Sequence, residues 1–145
     1  MNEAVETGLT EETISRSGMI NNGGKKVAAN TPSVLGPEFQ QLIARPLAAK
    51  EVNSCMGKVV AAPTAGASGI LPGALVTLQK FHGIEESKIM EALLIGAGIA
   101  LIIEKKASLA GAVGGCQAET GSAAAMVSGG IAYCLGAQLT RYSTR

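Results

Sequence analysis

The sequence predicts an all-α fold: a compact bundle of closely packed helices with two glycine-rich loops forming one site. Three observations carry that prediction. Apolar residues recur at helical spacing over several long stretches, and no stretch alternates as a strand would. The hydrophobic fraction is 47%, yet the 145 residues hold only two Phe, two Tyr and no Trp, so the core must be aliphatic. Nineteen glycines, with many alanines, suit helices that approach backbone to backbone. A chain of this length is one domain with a real core.

Residues 1–14 carry Glu3, Glu6, Glu11 and Glu12 and read as a flexible or weakly helical acidic arm ahead of a helical domain over 15–145. Ser15-Arg16-Ser17-Gly18 and Asn21-Asn22-Gly23-Gly24 then supply turn residues, as a linker or a binding loop. Lys25 to Asn30 continues as a short helical or extended piece. Gly36-Pro37 marks a helix start, and Phe39, Leu42, Ile43 and Leu47 place a helix from about Glu38 to Met56. Pro46 is expected to kink it or shift its start. Cys55, near its end, reads as packing.

Val59 to Gly69 turns from four apolar residues into a small-residue loop with hydroxyls at Thr64 and Ser68. The next helix, about Ile70 to His82, has Pro72 in its first turn and Gly83 after its end. A glycine loop running into a helix N-terminus suits a carboxylate or phosphate; an ordinary inter-helix turn is the competing reading. His82, the single histidine, is either a general base or a C-terminal cap aided by the helix dipole. Glu85 to Glu104 has acidic residues first and Lys105-Lys106 at its end, a strong helix signature. Its body, Ala92 to Ile103, shows no polar face and is expected to be the buried central helix. At 12 residues the run is too short for a membrane span.

Ala107 to Gly115 is a second small-residue loop, and Gln117 to about Gly136 a last helix with Gly121, Ala125 and Gly129 on one close-packing stripe. Cys116 stands between them. Behind a glycine turn at a helix start, its thiolate would sit in positive potential, favouring deprotonation and metal ligation; a small buried hydrophobe is the plain alternative. Cys55, Cys116 and Cys134 form no CxxC pair, which argues against a zinc ribbon or disulfide framework and for a reducing cytosol. The N-terminus has no signal-peptide pattern. A net charge of +1 without a basic cluster argues against nucleic-acid binding. Neither nucleic acid nor membrane is therefore an expected partner, and a homodimer stays open.

Ala62-Pro63-Thr64-Ala65-Gly66-Ala67-Ser68-Gly69-Ile70-Leu71-Pro72-Gly73 and Gly115-Cys116-Gln117-Ala118-Glu119 closely resemble the α domain of bacterial iron–sulfur L-serine dehydratases. Glu51-Val52-Asn53-Ser54-Cys55-Met56-Gly57 is similar to the stretch before that family's substrate loop. Ser17-Gly18 and Gly23-Gly24 look like a degenerate form of its N-terminal glycine segment. The resemblance spans about residues 15–136. It implies deamination of L-serine to pyruvate and ammonia at a 4Fe–4S cluster acting as a Lewis acid, without pyridoxal phosphate. It assigns Cys116 as a cluster ligand and Thr64, Ala65, Gly66, Ser68 and Gly69 to the substrate, with Gln117, Glu119 and Lys106 supporting the site. No residue stands out as the general base. The family completes its active site with a β domain or subunit.

The sequence departs from that family in two respects. The family continues into Cys-Asp-Pro and Pro-Cys segments holding two further cluster ligands, which the sequence to Arg145 lacks; a C-terminally incomplete, inactive α domain is the resulting expectation. The family also commonly has Asn, Ser and Glu where this chain has Lys106, Ala110 and Val113. Two rival readings are a pyridoxal-phosphate deaminase using Lys105 or Lys106, which would need an α/β pattern, and a non-catalytic helical interaction domain. The latter would hold if loops 63–69 and 114–120 lay at opposite ends.

Overall fold

The computed structural model describes residues 1–30 and 34–137, and the chain is all-α. The six helices among the described residues are α1 Asn2–Thr10, α2 Gly23–Ala29, α3 Gly36–Ser54, α4 Ile70–His82, α5 Glu86–Lys106 and α6 Gly111–Cys134. Among the described residues, the one extended pairing is an isolated bridge between Ile14 and Asn21.

The centre of the bundle is α4, not α5. Every residue from Leu71 to Leu78 is buried, and the one hydroxyl among them, Thr77, donates to the Gly73 carbonyl at 2.7 Å. Leu71, Leu75 and Leu78 join Ile89, Ala92 and Met126 in the main core. Full burial of such side chains contributes about 1.5–3 kcal/mol each. On the other side α4 meets α3 at Pro46. Carbon atoms added to Gly69 and Gly73 would overlap Pro46, so two small residues one turn apart make room for the proline. α3 continues through Pro46 as a single helix rather than shifting its start.

The prediction that Ala92–Ile103 is buried all round fails. α5 buries Ile89, Ala92 and Gly96, while Leu94 is 72% exposed and Leu101 59%. A helix apolar on every side needs two partners, and within this chain α5 packs chiefly on α6. The small-residue stripe of α6 is also offset by one position. Ser122, Met126, Gly130 and Cys134 are buried, whereas Gly121 and Ala125 are exposed. Gly130 meets Ala92, and Gly129 meets Ile99.

The acidic arm expected over residues 1–14 is instead a packed helix and turn. Val5 is fully buried and Ala4 nearly so, and Gly8 lies directly on the Ala48 backbone. Its acidic face is used: Glu6 accepts Lys80 Nζ at 3.0 Å and lies 3.7 Å from Arg45 Nη1. Burial pulls the Arg45 guanidinium below its ordinary pKa, and Glu6 partly offsets that. The turn after α1 closes when Asn22 Oδ1 accepts the Thr13 amide at 2.7 Å. Glu51, buried in α3, then accepts the amides of Gly23 and Gly24 at 2.8 and 2.9 Å, satisfying orphan donors at the start of α2.

Candidate functional site

Loop 63–69 is a folded turn leading into α4. The amides of Ala67, Ser68 and Ile70 bond to the carbonyls of Thr64, Ala65 and Ala67. Ser68 is buried, and its hydroxyl donates to the Ala65 carbonyl at 2.7 Å. Gly69 faces Pro46. These groups therefore hold the turn together. Thr64 differs: its buried Oγ1 has no hydrogen-bond partner. Ala65 is exposed and Gly66 half-buried.

The second segment begins with one turn of helix at Gly111, where a loop was expected. Gly115 breaks it with φ 71° and ψ 179°, a backbone that only glycine takes without strain. The helical conformation then resumes through Cys134, so Cys116 stands at the start of a new helical run, exposed. Gln117 is exposed beside it, and Glu119 is half-buried one turn on.

Glu119 joins the two segments. A carbon added to Gly66 would lie 2.7 Å from Glu119 Oε2, and one added to Gly111 would lie 2.9 Å from its carboxyl carbon. The carboxylate thus occupies the space that two absent side chains would fill. The loops lie at the same end of the bundle, as the pattern of motifs predicted. Lys50 Nζ donates to the Gly66 carbonyl at 2.9 Å. Lys50 was not among the predicted site residues: in sequence it is one lysine on a helix face, and only the crossing of α3 under the loop brings it here.

Other candidates lie apart. Lys106 is exposed in the last turn of α5, without a hydrogen bond or ion pair to Cys116, Gln117 or Glu119 among the described residues. His82 is the last residue of α4, roughly 18 Å along the axis from Ile70. Its Nε2 lies 2.7 Å from Glu38 Oε1, tying α4 to the first turn of α3. The length of α4 thus separates His82 from these loops. A groove of about 400 Å³ borders Pro63 and Leu109. It is lined mainly by apolar side chains such as Leu71, Leu93, Leu101 and Met126, ill suited to a charged amino acid.

A four-iron cluster does not fit the described residues by themselves. No group of three His, Cys, Asp or Glu side chains among them could hold a metal. Cys134 is buried at the far end of α6, donates weakly to the Lys88 carbonyl at 3.8 Å, and has its thiol pKa raised by burial. Cys55 caps the end of α3. Only Cys116 is placed by the two loops. No helix among the described residues is long and apolar enough to cross a membrane.

Comparison with known proteins agrees with the motifs. The family model for the serine dehydratase alpha chain matches residues 1–144. The L-serine dehydratase alpha chain of Peptoniphilus asaccharolyticus is 37% identical over 139 residues, which are 94% of this chain and 48% of that protein. A probable L-serine dehydratase alpha chain of Bacillus subtilis is 33% identical over 134 residues, 90% of this chain and 44% of its own. The L-serine dehydratase of Streptomyces coelicolor is 36% identical over 143 residues, 94% of this chain and 31% of its own. The chain thus spans about half the length of these relatives, or less. No solved structure matches it.

Proposed function

Because this chain belongs to the serine dehydratase alpha chain family, we propose that it is the part of an L-serine ammonia-lyase that binds the amino acid. The whole enzyme would release pyruvate and ammonia in the cytoplasm, and a β domain or partner chain would complete the site. The observation that carries this reading is the seat of Glu119 against Gly66, which brings two distant motifs to one place.

L-Serine carries a cation and an anion on one carbon. Lys50 and Glu119 flank the Gly66 turn with the opposite charges. Lys50 uses one of its three donors on the Gly66 carbonyl, leaving others for a carboxylate. Glu119 is oriented by its glycine cradle to accept from the ammonium. The unpaired Thr64 hydroxyl supplies a further polar contact. Ala65 and Gly66 leave room above the turn, while Ser68 and Gly69 keep its shape.

The resemblance adds a 4Fe–4S cluster, which when bound supplies Lewis-acid chemistry at the substrate hydroxyl. Cys116 is the one thiol here positioned to contribute a ligand, so the others must come from outside the described residues. Gln117 stands next to that thiol. The isolated chain is accordingly read as inactive.

The reading is tested by assembling the chain anaerobically with the rest of its enzyme and measuring iron and pyruvate. Cys116→Ser should lose both. Full iron content and full activity in that variant would overturn the assignment. The described residues are helical and lend no support to the rival pyridoxal-phosphate reading, which needs an α/β scaffold.

A further inference from the structure

We propose that Pro46 is a positioning residue for serine binding: its ring, set against α4, fixes where Lys50 stands at the Gly66 turn. This role rests on the reading of Lys50 as a contact for the substrate carboxylate. A proline is costly here. Inside α3 it forgoes the hydrogen bond that an ordinary amide would make to the Leu42 carbonyl, and its ring crowds the preceding turn. That ring meets the α4 backbone. A carbon added to Gly73 would overlap the Pro46 nitrogen and lie 2.5 Å from both Cγ and Cδ of the ring.

One turn along α3, the same contact reaches Lys50. A carbon added to Gly69 would overlap the Pro46 carbonyl oxygen and lie 3.1 Å from the Lys50 amide nitrogen. In an α-helix those two atoms close one turn, so Gly69 rests on the turn that joins Pro46 to Lys50. Residues four apart share a helix face, and from that turn Lys50 Nζ donates to the Gly66 carbonyl. Gly73, Gly69 and Gly66 thus meet, in order, the Pro46 ring, the Pro46–Lys50 turn and the Lys50 side chain. At the first two contacts no flexible side chain lies between the elements to absorb a shift. Removing the ring removes the stop on which α4 rests, and the register of α3 against the loop goes with it. Glu119 is seated on the same Gly66, so this register also sets how the two charges stand to each other.

Pro46→Ala tests this role, with Lys50→Met as its reference. In the anaerobically assembled enzyme Pro46→Ala should raise KM for L-serine about three- to tenfold and leave kcat nearly unchanged, because it disturbs a binding contact. The melting temperature should hold or rise, since alanine regains the missing helical bond. In a Lys50→Met background the same change should add nothing to KM, as expected of a residue that acts through Lys50. Timed acetylation of the folded 145-residue chain, with peptide mapping, follows the Lys50 amine directly. In Pro46→Ala, and in Gly73→Ala, which pushes α4 off the ring, Lys50 should label roughly two- to tenfold faster, the worth of one lost hydrogen bond. Lys105, in the last turn of α5, should label at its usual rate. Labelling does not depend on what Lys50 binds. Wild-type KM in Lys50→Met with faster labelling in Pro46→Ala would remove the substrate contact and uphold the placement by Pro46. Unchanged Lys50 labelling in both variants, or a rise in KM from Pro46→Ala that persists in Lys50→Met, overturns the proposal.

Discussion

The Glu119 carboxylate is seated against Gly66, 2.7 Å from where a side chain on that glycine would begin. Gly66→Ala should therefore push the carboxylate aside. Because the flexible end of a glutamate can move, the stability cost should stay near 1 kcal/mol or below. In a Glu119→Ala background the same change should be neutral or stabilising, through the reduced freedom of the unfolded chain. Denaturant titrations of the four proteins in this cycle check it; equal costs in both backgrounds would separate the two residues.

The centre of the bundle makes a second test. Leu75→Ala should cost about 2–5 kcal/mol, because it empties a fully packed position in α4. Leu94→Ala in α5 should stay within about 0.5 kcal/mol. Thermal melts of both variants decide which helix is central. Comparable losses would restore α5 to the core.

The sequence led toward α5 for a physical reason. Its apolar run shows no polar face, but it does not record which of its sides the other helices cover. Helices α3 to α6, the loop before α4 and the α4 limits were legible because periodicity, Pro72 and Gly83 are local signals. Packing of α1 was hidden, since Ala4, Val5 and Gly8 form too short an apolar face among glutamates to outweigh the charge. Lys50 was hidden for another reason: its contact with Gly66 depends on how α3 crosses the loop, which no spacing records. The segment 138–145, part of the expected domain, lies outside the described residues.

The three thiols should separate by reactivity. Cys116 is exposed and Cys134 buried. Burial raises the Cys134 pKa, so at a given pH less of it is thiolate, and thiolate is the form that reacts. Brief alkylation of the folded protein at pH 8, followed by peptide mapping, should label Cys116 and spare Cys134 until denaturant is added. Equal labelling of the two in the folded state would contradict the placement of α6.

Glu51 should be the most sensitive acidic residue in the N-terminal half. It is buried and accepts two amides at the start of α2. Glu51→Ala leaves those donors without a partner, at a cost of about 1–3 kcal/mol. Hydrogen exchange at Gly23 and Gly24 should rise sharply while exchange in α5 stays unchanged. Unaltered protection there would show that the carboxylate does not hold α2.

The central claim is that Lys50 and Glu119 share one substrate at the Gly66 turn. The most direct measurement is kcat and KM for L-serine in the anaerobically assembled enzyme carrying Glu119→Gln or Lys50→Met, with His82→Ala as control. Each of the first two variants should lower kcat/KM about ten- to hundredfold, mostly through KM, because each removes a charged contact to bound substrate. His82→Ala, at the other end of α4, should leave kcat/KM unchanged. Wild-type kcat/KM in both Glu119→Gln and Lys50→Met would contradict the account.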